Sequence, residues 1–143
     1  MKNISSILFS FFIVVLSACA NSESKSSGMV IGEIGQEQLL SEYQYFQQSY
    51  RMYNLSEEEI LEIKRWPKGL HVEVYFGTWC HDSQREVPRF LKVLSENADM
   101  TSRLIGLDYN KSEPKGTAKI HDIKFTPTFI VYRDNNIFCF LTF

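Results

Sequence analysis

Residues 77–88 read GTWCHDSQREVP and directly follow a stretch of alternating hydrophobicity, Leu70 to Phe76. The alternation predicts a β-strand. From about Cys80 to Asn97, apolar residues recur at helical spacing, which predicts an amphipathic helix. Pro88 falls inside this helix, where we expect a kink. The sequence therefore predicts a cysteine in the first turn of a helix that begins where a strand ends.

Cys80 is a candidate nucleophile because of this position. Unpaired backbone N–H groups and the helix dipole favour a thiolate at a helix N-terminus. Cysteine pKa values there fall to roughly 3.5–7.5, and the thiolate is the reactive form. Trp79 beside it would offer a flat apolar surface to a partner. The alternative interpretation is a buried structural cysteine, but the Gly-Thr-Trp sequence before it favours an exposed bend.

The rest of the domain alternates between predicted helices and strands. Upstream, an amphipathic helix is predicted from Gln36 to Tyr53, and Ser56 with Glu59 forms a capping box ahead of a second helix that ends near Trp66. Downstream, we predict strands over 103–108, 128–132 and 137–143, with a short helix over 116–122. This order predicts an α/β fold with a mixed four-stranded sheet flanked by helices.

Two landmarks make the chain resemble the thioredoxin-like superfamily. The family pattern is an apolar strand, then W-C-x-x-C, then a helix with a proline eight positions after the first cysteine, and the GTWCHDSQREVP segment keeps that spacing. The second landmark is a cis-proline that opens a strand, which Phe125-Thr126-Pro127-Thr128-Phe129 matches. The resemblance covers about residues 70–143 and implies a thioredoxin-like fold with extra N-terminal helices.

The resemblance also implies roles for individual residues. Cys80 would be the attacking thiolate in thiol–disulfide exchange. Pro127 would be cis and lie against Cys80, where it would shape a substrate groove. The backbone of Thr126 would pair with an extended substrate segment. The implied partners are disulfides of proteins or small thiols, and neither a metal nor another cofactor is implied.

Two departures from the family pattern bear on activity. Ser83 replaces the second cysteine, so Cys80 cannot close an internal disulfide and needs an external resolving thiol such as glutathione. Ser83 still offers a hydrogen bond to the thiolate. Val74 stands where thioredoxins proper carry a buried acid. Asp82 and His81 are candidates for a partial substitute, with solvent exposure the alternative for His81.

A third departure concerns the last predicted strand, which runs to Phe143 where the family normally continues into a helix that covers one sheet face. We therefore expect a fold without that C-terminal helix. Either the N-terminal helices cover the exposed face or the chain is a truncated or frameshifted product, and we favour the second interpretation. Cys139 lies early in this strand, and we expect it to be remote from Cys80.

The N-terminal residues have the pattern of a targeting signal. Lys2 precedes the apolar run ILFSFFIVVL (7–16), which is shorter than the roughly 20 residues of a spanning helix. Leu-Ser-Ala-Cys follows and resembles the bacterial lipobox, which predicts a signal peptide over 1–18 and a lipid on Cys19. A plain cleaved signal is the alternative. The expected location is the periplasmic side of the bacterial cell envelope, at the outer membrane.

The remaining sequence divides into a tether and one domain. Residues 19–35 are predicted to be a flexible tether, and 36–143 a thioredoxin-like domain with a helical extension over 36–66 and a core over 67–143. The 143 residues carry a net charge of −2, which gives no electrostatic basis for nucleic-acid binding. Three cysteines are too few for a disulfide-stapled scaffold.

Three functions are compatible with these observations. The favoured hypothesis is a membrane-anchored, extracytoplasmic thiol–disulfide oxidoreductase or isomerase that acts through Cys80 alone. The alternative is a redox-inactive thioredoxin-like module that binds extended peptides beside Pro127, which Ser83 favours. Metal binding through Cys80 and His81 is the weakest hypothesis, because adjacent residues are not a usual chelating pair and no second cluster completes a site.

Overall fold

The computed structural model describes residues 28–143. Its strands are β1 (Gly32–Ile34), β2 (Leu70–Phe76), β3 (Thr101–Gly106), β4 (Thr128–Arg133) and β5 (Asn136–Thr142). Its helices are α1 (Gln36–Glu42), α2 (Gln44–Met52), α3 (Glu57–Lys64), α4 (His81–Ser95) and α5 (Thr117–Ile120). Predicted strands and helices after residue 55 are thus confirmed, with bounds that differ by a few residues.

The strands form one mixed sheet in the order β1-β3-β2-β4-β5. β2 and β3 run parallel, and the other three neighbouring pairs are antiparallel. The prediction of a mixed α/β, thioredoxin-like fold is confirmed, but the sheet has five strands rather than four. The additional strand β1 lies inside the predicted tether, so the ordered part of the chain begins before Gln36. The three residues of β1 form a strand only by pairing with β3, and local composition does not predict such a tertiary contact.

The predicted helix over 36–53 is two helices. The chain leaves helical geometry at Tyr43, whose φ is −113° and ψ is 98°. The Tyr43 hydroxyl donates a hydrogen bond to the carbonyl oxygen of Gly28, and its ring packs edge-on against Phe46. The apolar spacing continues through this break, so periodicity alone did not show it. The capping box of α3, between Ser56 and Glu59, is present as predicted.

The N-terminal helices and α4 pack on the same face of the sheet. Phe46 of α2 is 1% exposed and meets Phe76, the last residue of β2, with ring centroids 5.7 Å apart. The hydrophobic core on this face also contains Leu39 of α1, Val87 and Leu91 of α4, and every second residue of β2. The end of β2, which leads to Cys80, is therefore held by side chains of the N-terminal helices.

The half of this face over β4 and β5 stays open. An apolar groove of about 320 Å³ runs there, and its lining includes Phe90, Phe129, Leu141 and Phe143. Leu141 and Phe143 are 49% and 57% exposed. One of our two interpretations was that the N-terminal helices cover the sheet face that the missing C-terminal helix would cover. The helices cover only the part of that face away from β4 and β5. Within the described residues, the structure contains no helix that is both long and apolar enough to span a bilayer.

Candidate active site

Cys80 lies where β2 passes into α4, as the sequence predicts. The strand ends at Phe76, and a turn follows in which the Cys80 N–H donates to the carbonyl oxygen of Gly77 at 3.0 Å. Cys80 is the N-cap residue of α4, with an extended backbone, and the helix begins at His81. The cysteine is partly buried and is a free thiol. It therefore faces the unpaired N–H groups of the first helical turn.

The segment before β4 forms the second wall of the site. The Thr126–Pro127 peptide bond is cis, as the resemblance implies. The Cys80 thiol donates a hydrogen bond to the carbonyl oxygen of Thr126 at 3.0 Å. Thr126 is 7% exposed, and Pro127 is fully buried. Cys80 is thus in contact with the predicted Thr126–Pro127 pair, although 46 positions separate Cys80 from Thr126 in the sequence.

The surroundings of Cys80 lower its thiol pKa. Partial burial acts in the opposite direction and raises the pKa. A hydrogen bond from the Thr126 side chain, together with hydrogen bonds from the backbone and hydroxyl of Ser83 and the backbone of Asp82, outweighs burial and leaves the pKa below its ordinary value. A larger fraction of Cys80 is consequently thiolate near neutral pH than for a cysteine of ordinary pKa.

Ser83 stands one helical turn after Cys80 and is fully buried. Its oxygen accepts a hydrogen bond from the Gly77 N–H at 3.2 Å, while its hydroxyl lies within reach of the Cys80 sulfur. The serine therefore joins the turn before the cysteine to the helix after it. It occupies the position of the family's second cysteine but supplies a donor instead of a thiol.

Trp79 is fixed beside Cys80 by contacts from the loop after β3. Its indole N–H donates to the carbonyl oxygen of Leu107 at 3.1 Å. The Tyr109 ring lies 4.8 Å from the Trp79 ring, and the Lys111 ammonium lies 5.5 Å from the ring centroid. Gly77 leaves room for the indole, because a Cβ there would come within 2.6 Å of it. Tyr109 and Lys111 were not predicted as site residues, because they lie in a polar loop with no pattern of their own.

The acidic and basic candidates near the motif are engaged elsewhere or exposed. Asp82 pairs with Arg85 at 2.9 Å, and His81 is exposed at the start of α4. Val74 is fully buried in the apolar core. The nearby acid in sequence, Glu73, belongs to the opposite face of the sheet, where it accepts from Arg103 at 2.7 Å and from two tyrosine hydroxyls, those of Tyr75 and Tyr132.

Cys139 does not join this site. Cys139 lies opposite Val131 in the β4–β5 ladder. Val131 is four residues along β4 from Pro127, which corresponds to about 13 Å. Cys19, the predicted lipidation site, lies outside the described residues, as does the predicted signal peptide. Within residues 28–143, no group of three or more metal-ligating side chains comes together.

The lowered pKa gives a first testable prediction. Alkylation of Cys80 by iodoacetamide follows the thiolate fraction, so its rate should rise with pH to a midpoint below the free-cysteine value of about 8.5. Replacing Ser83 by alanine removes a donor to the thiolate and should move the midpoint to higher pH. The measurement uses a Cys19→Ser/Cys139→Ser variant, in which Cys80 is the only cysteine.

Ser95→Ala is the matched control for Ser83→Ala. It removes a serine hydroxyl from the far, exposed end of the same helix, where Ser95 bonds only the local backbone carbonyl of Lys92. The midpoint in this variant should equal that of the parent. A midpoint at or above about 8.5 in the parent would contradict activation of Cys80 by its surroundings.

A match to a family model agrees with this geometry. A family model described as thioredoxin matches residues 33–140. Among solved structures, mitochondrial thioredoxin 3 from Saccharomyces cerevisiae, in its oxidized form, is similar at 23% identity with a TM-score of 0.42, over 65% of this chain and 85% of that one. No curated protein matches the chain. Because the family model covers β1 through most of β5, with the Cys80 junction and the cis-proline at their expected places, this chain belongs to the thioredoxin family.

Proposed function

We propose that this protein carries out thiol–disulfide exchange through Cys80 as its single catalytic cysteine. The observation that carries the proposal is the Cys80 thiol itself. It is partly exposed at a helix N-cap, lies 3.0 Å from the Thr126 carbonyl beside a cis-proline, and has a lowered pKa. These features supply a nucleophile and an adjacent backbone edge for an extended substrate.

The proposed reaction has two exchange steps. The Cys80 thiolate attacks one sulfur of a substrate disulfide, a Cys80–substrate disulfide forms, and the other substrate sulfur leaves as a thiolate. Because Ser83 cannot attack, an external thiol then attacks the mixed disulfide and releases Cys80 as a thiolate. The substrates are disulfides of proteins or of small thiols. Oxidoreductase and isomerase activity both follow from these steps, according to which thiol attacks second.

The proposal includes a location outside the cytoplasm. It rests on the sequence of the first 19 residues, in which an apolar run and a lipobox-like Leu-Ser-Ala-Cys end at Cys19. A lipid on that cysteine would anchor the domain to the bacterial cell envelope, at the outer membrane, instead of threading it through the bilayer. An extracytoplasmic location also suits a disulfide substrate, because disulfides persist in oxidising compartments.

Trapping of the mixed disulfide tests the proposed function. The variant with Cys80 as its only cysteine is incubated with oxidised glutathione and measured by mass spectrometry. We expect one glutathionyl group per chain, removable by an added thiol. The control is the Cys19→Ser/Cys80→Ser variant, in which only Cys139 remains and the adduct should form far more slowly.

The serine at position 83, in place of a cysteine, favours one competing function. This function is the binding of extended peptides without turnover. In that case Cys80 would stay unmodified in the trapping experiment, and an extended peptide would bind the parent and the Cys80→Ser variant equally. Rapid formation and release of the adduct would exclude this alternative.

A further inference from the structure

A lysine is held at the edge of the proposed active site by an unusual backbone. Lys111 has a φ of +58°, in the left-handed region that side chains with a Cβ rarely adopt. Asp108 closes the loop around Lys111 by two hydrogen bonds. The Lys111 N–H donates to the Asp108 carbonyl oxygen, and the Ser112 N–H donates to Asp108 Oδ1 at 2.7 Å.

This loop places a positive charge against the residue next to the nucleophile. The Lys111 ammonium lies 5.5 Å from the centroid of the Trp79 ring, a distance at which cation and ring attract. Trp79 directly precedes Cys80. Tyr109 from the same loop also lies against the Trp79 ring and is 65% exposed. The surface around the Trp79 ring, one residue before Cys80, is therefore aromatic and cationic.

Among residues 28–143, Lys111 forms no ion pair, whereas Arg85 and Lys124 do. Arg85 pairs with Asp82 and Glu86, and Lys124 pairs with Asp122 at 2.8 Å. For Lys111, the structure shows no carboxylate within 4.0 Å among residues 28–143, and the Asp108 oxygen in its own loop is bonded to backbone. An ammonium without an ion-pair partner remains available to a ligand.

We propose that Lys111, together with Trp79 and Tyr109, makes Cys80 selective for disulfides that carry a carboxylate close to the sulfur–sulfur bond. This inference rests on the proposed exchange reaction and names the substrate class for it. Charges at the rim of a binding site act mainly on the rate of encounter and on its salt dependence. Lys111 is thus a specificity-determining residue, which leaves the chemistry of Cys80 itself unchanged.

Two disulfides of opposite charge test the selectivity. With Cys80 as the only cysteine, the rate of mixed-disulfide formation is measured for oxidised glutathione, which is anionic, and for cystamine, which is cationic. Lys111→Gln should slow the first and speed the second, and should change the ratio of the two rates about fivefold at low ionic strength. In high salt, where the screening length falls to about 3 Å at 1 M, the change in ratio should vanish.

Lys64→Gln is the matched control. Lys64 is an exposed lysine at the end of α3, and the neighbouring Ile63 carbonyl accepts a hydrogen bond from Asn97 just beyond the far end of α4. The 15-residue α4 separates this position from Cys80 by about 22 Å. Lys64→Gln should leave the ratio of rates unchanged. An equal change in both variants, or no change in Lys111→Gln, would overturn the selectivity.

A second pair of probes separates this inference from the exchange reaction. Iodoacetate is anionic and iodoacetamide neutral, and both alkylate a thiolate without any disulfide chemistry. Lys111→Gln should lower the iodoacetate rate relative to the iodoacetamide rate, whereas Lys64→Gln should not. If this ratio falls but no mixed disulfide forms with either disulfide, the proposed exchange is wrong while the charge selectivity of the site stands. If the ratio is unchanged, the selectivity is wrong.

Discussion

A Ser83→Cys variant is expected to reduce protein disulfides about a hundredfold faster than the parent at a millimolar external thiol, because an attacking group held in place acts at an effective concentration far above millimolar. Ser83 is one helical turn from Cys80, and its side chain reaches the Cys80 sulfur. A cysteine there would attack the Cys80–substrate disulfide from within the same chain. In the proposed cycle, release of the reduced substrate would then need no thiol from solution, which would act only afterwards, to reduce the internal disulfide. The rates are therefore compared over a single turnover, with each reduced protein in molar excess over its substrate.

The geometry favours this internal disulfide. Residues at the N-cap and three positions later lie within the Cα–Cα range of about 4.4–6.8 Å that disulfides need. Ser83 is fully buried behind the thiol of Cys80, which is partly exposed, so the outer sulfur would attack substrate and the inner one would resolve it. The assay follows reduction of insulin by turbidity, with Cys19 and Cys139 replaced by serine in both proteins.

The control for Ser83→Cys is Ser95→Cys, which adds a thiol at the exposed end of the same helix. It should leave the rate of reduction near that of the parent. A loss of two free thiols per chain on oxidation, seen only in Ser83→Cys, would confirm that the introduced cysteine forms a disulfide with Cys80. Equal rates in Ser83→Cys and the parent would show that attack by a thiol from solution is not the slow step, and would contradict the expected acceleration.

The sequence predicted the parts of the site that depend on local signals. The strand before Cys80, the helix after it and the threonine–proline pair at 126–127 are each encoded by neighbouring residues, and their convergence follows from the family resemblance. The Trp79 surroundings could not be predicted in this way. Tyr109 and Lys111 contact Trp79 because of the conformation of a loop. The left-handed backbone at position 111 could not be predicted, because lysine has no preference for that conformation.

The fold shows the same division between local and tertiary information. β2 was predicted with its observed bounds because alternation over seven residues is a strong local pattern. β1 was missed because three residues in a Ser- and Gly-rich context form a strand only through pairing with β3. The break at Tyr43 was missed because the apolar spacing continues through it, while the break itself depends on contacts with Gly28 and Phe46.

The second large effect is expected at Phe46, in the part of the chain that lies before the family core. Phe46→Ala should lower the free energy of unfolding by about 3–5 kcal/mol, the usual cost of removing a buried phenylalanine ring. The ring is 1% exposed and lies between Tyr43 and Phe76. Its removal would leave a cavity under the end of β2. Urea unfolding measures the change as a lower midpoint at unchanged slope.

Tyr45→Ala separates loss of core packing from a general effect on α2. Tyr45 neighbours Phe46 in the same helix but is 67% exposed, so its replacement should change stability by no more than about 0.5 kcal/mol. A small effect of both substitutions would mean that the N-terminal helices are an appendage to an independent core. The expected contrast would instead mean that they are part of the domain. Phe76 is followed directly by the Gly77 turn that presents Cys80, so the helices before residue 67 would then support the geometry on which the nucleophile depends.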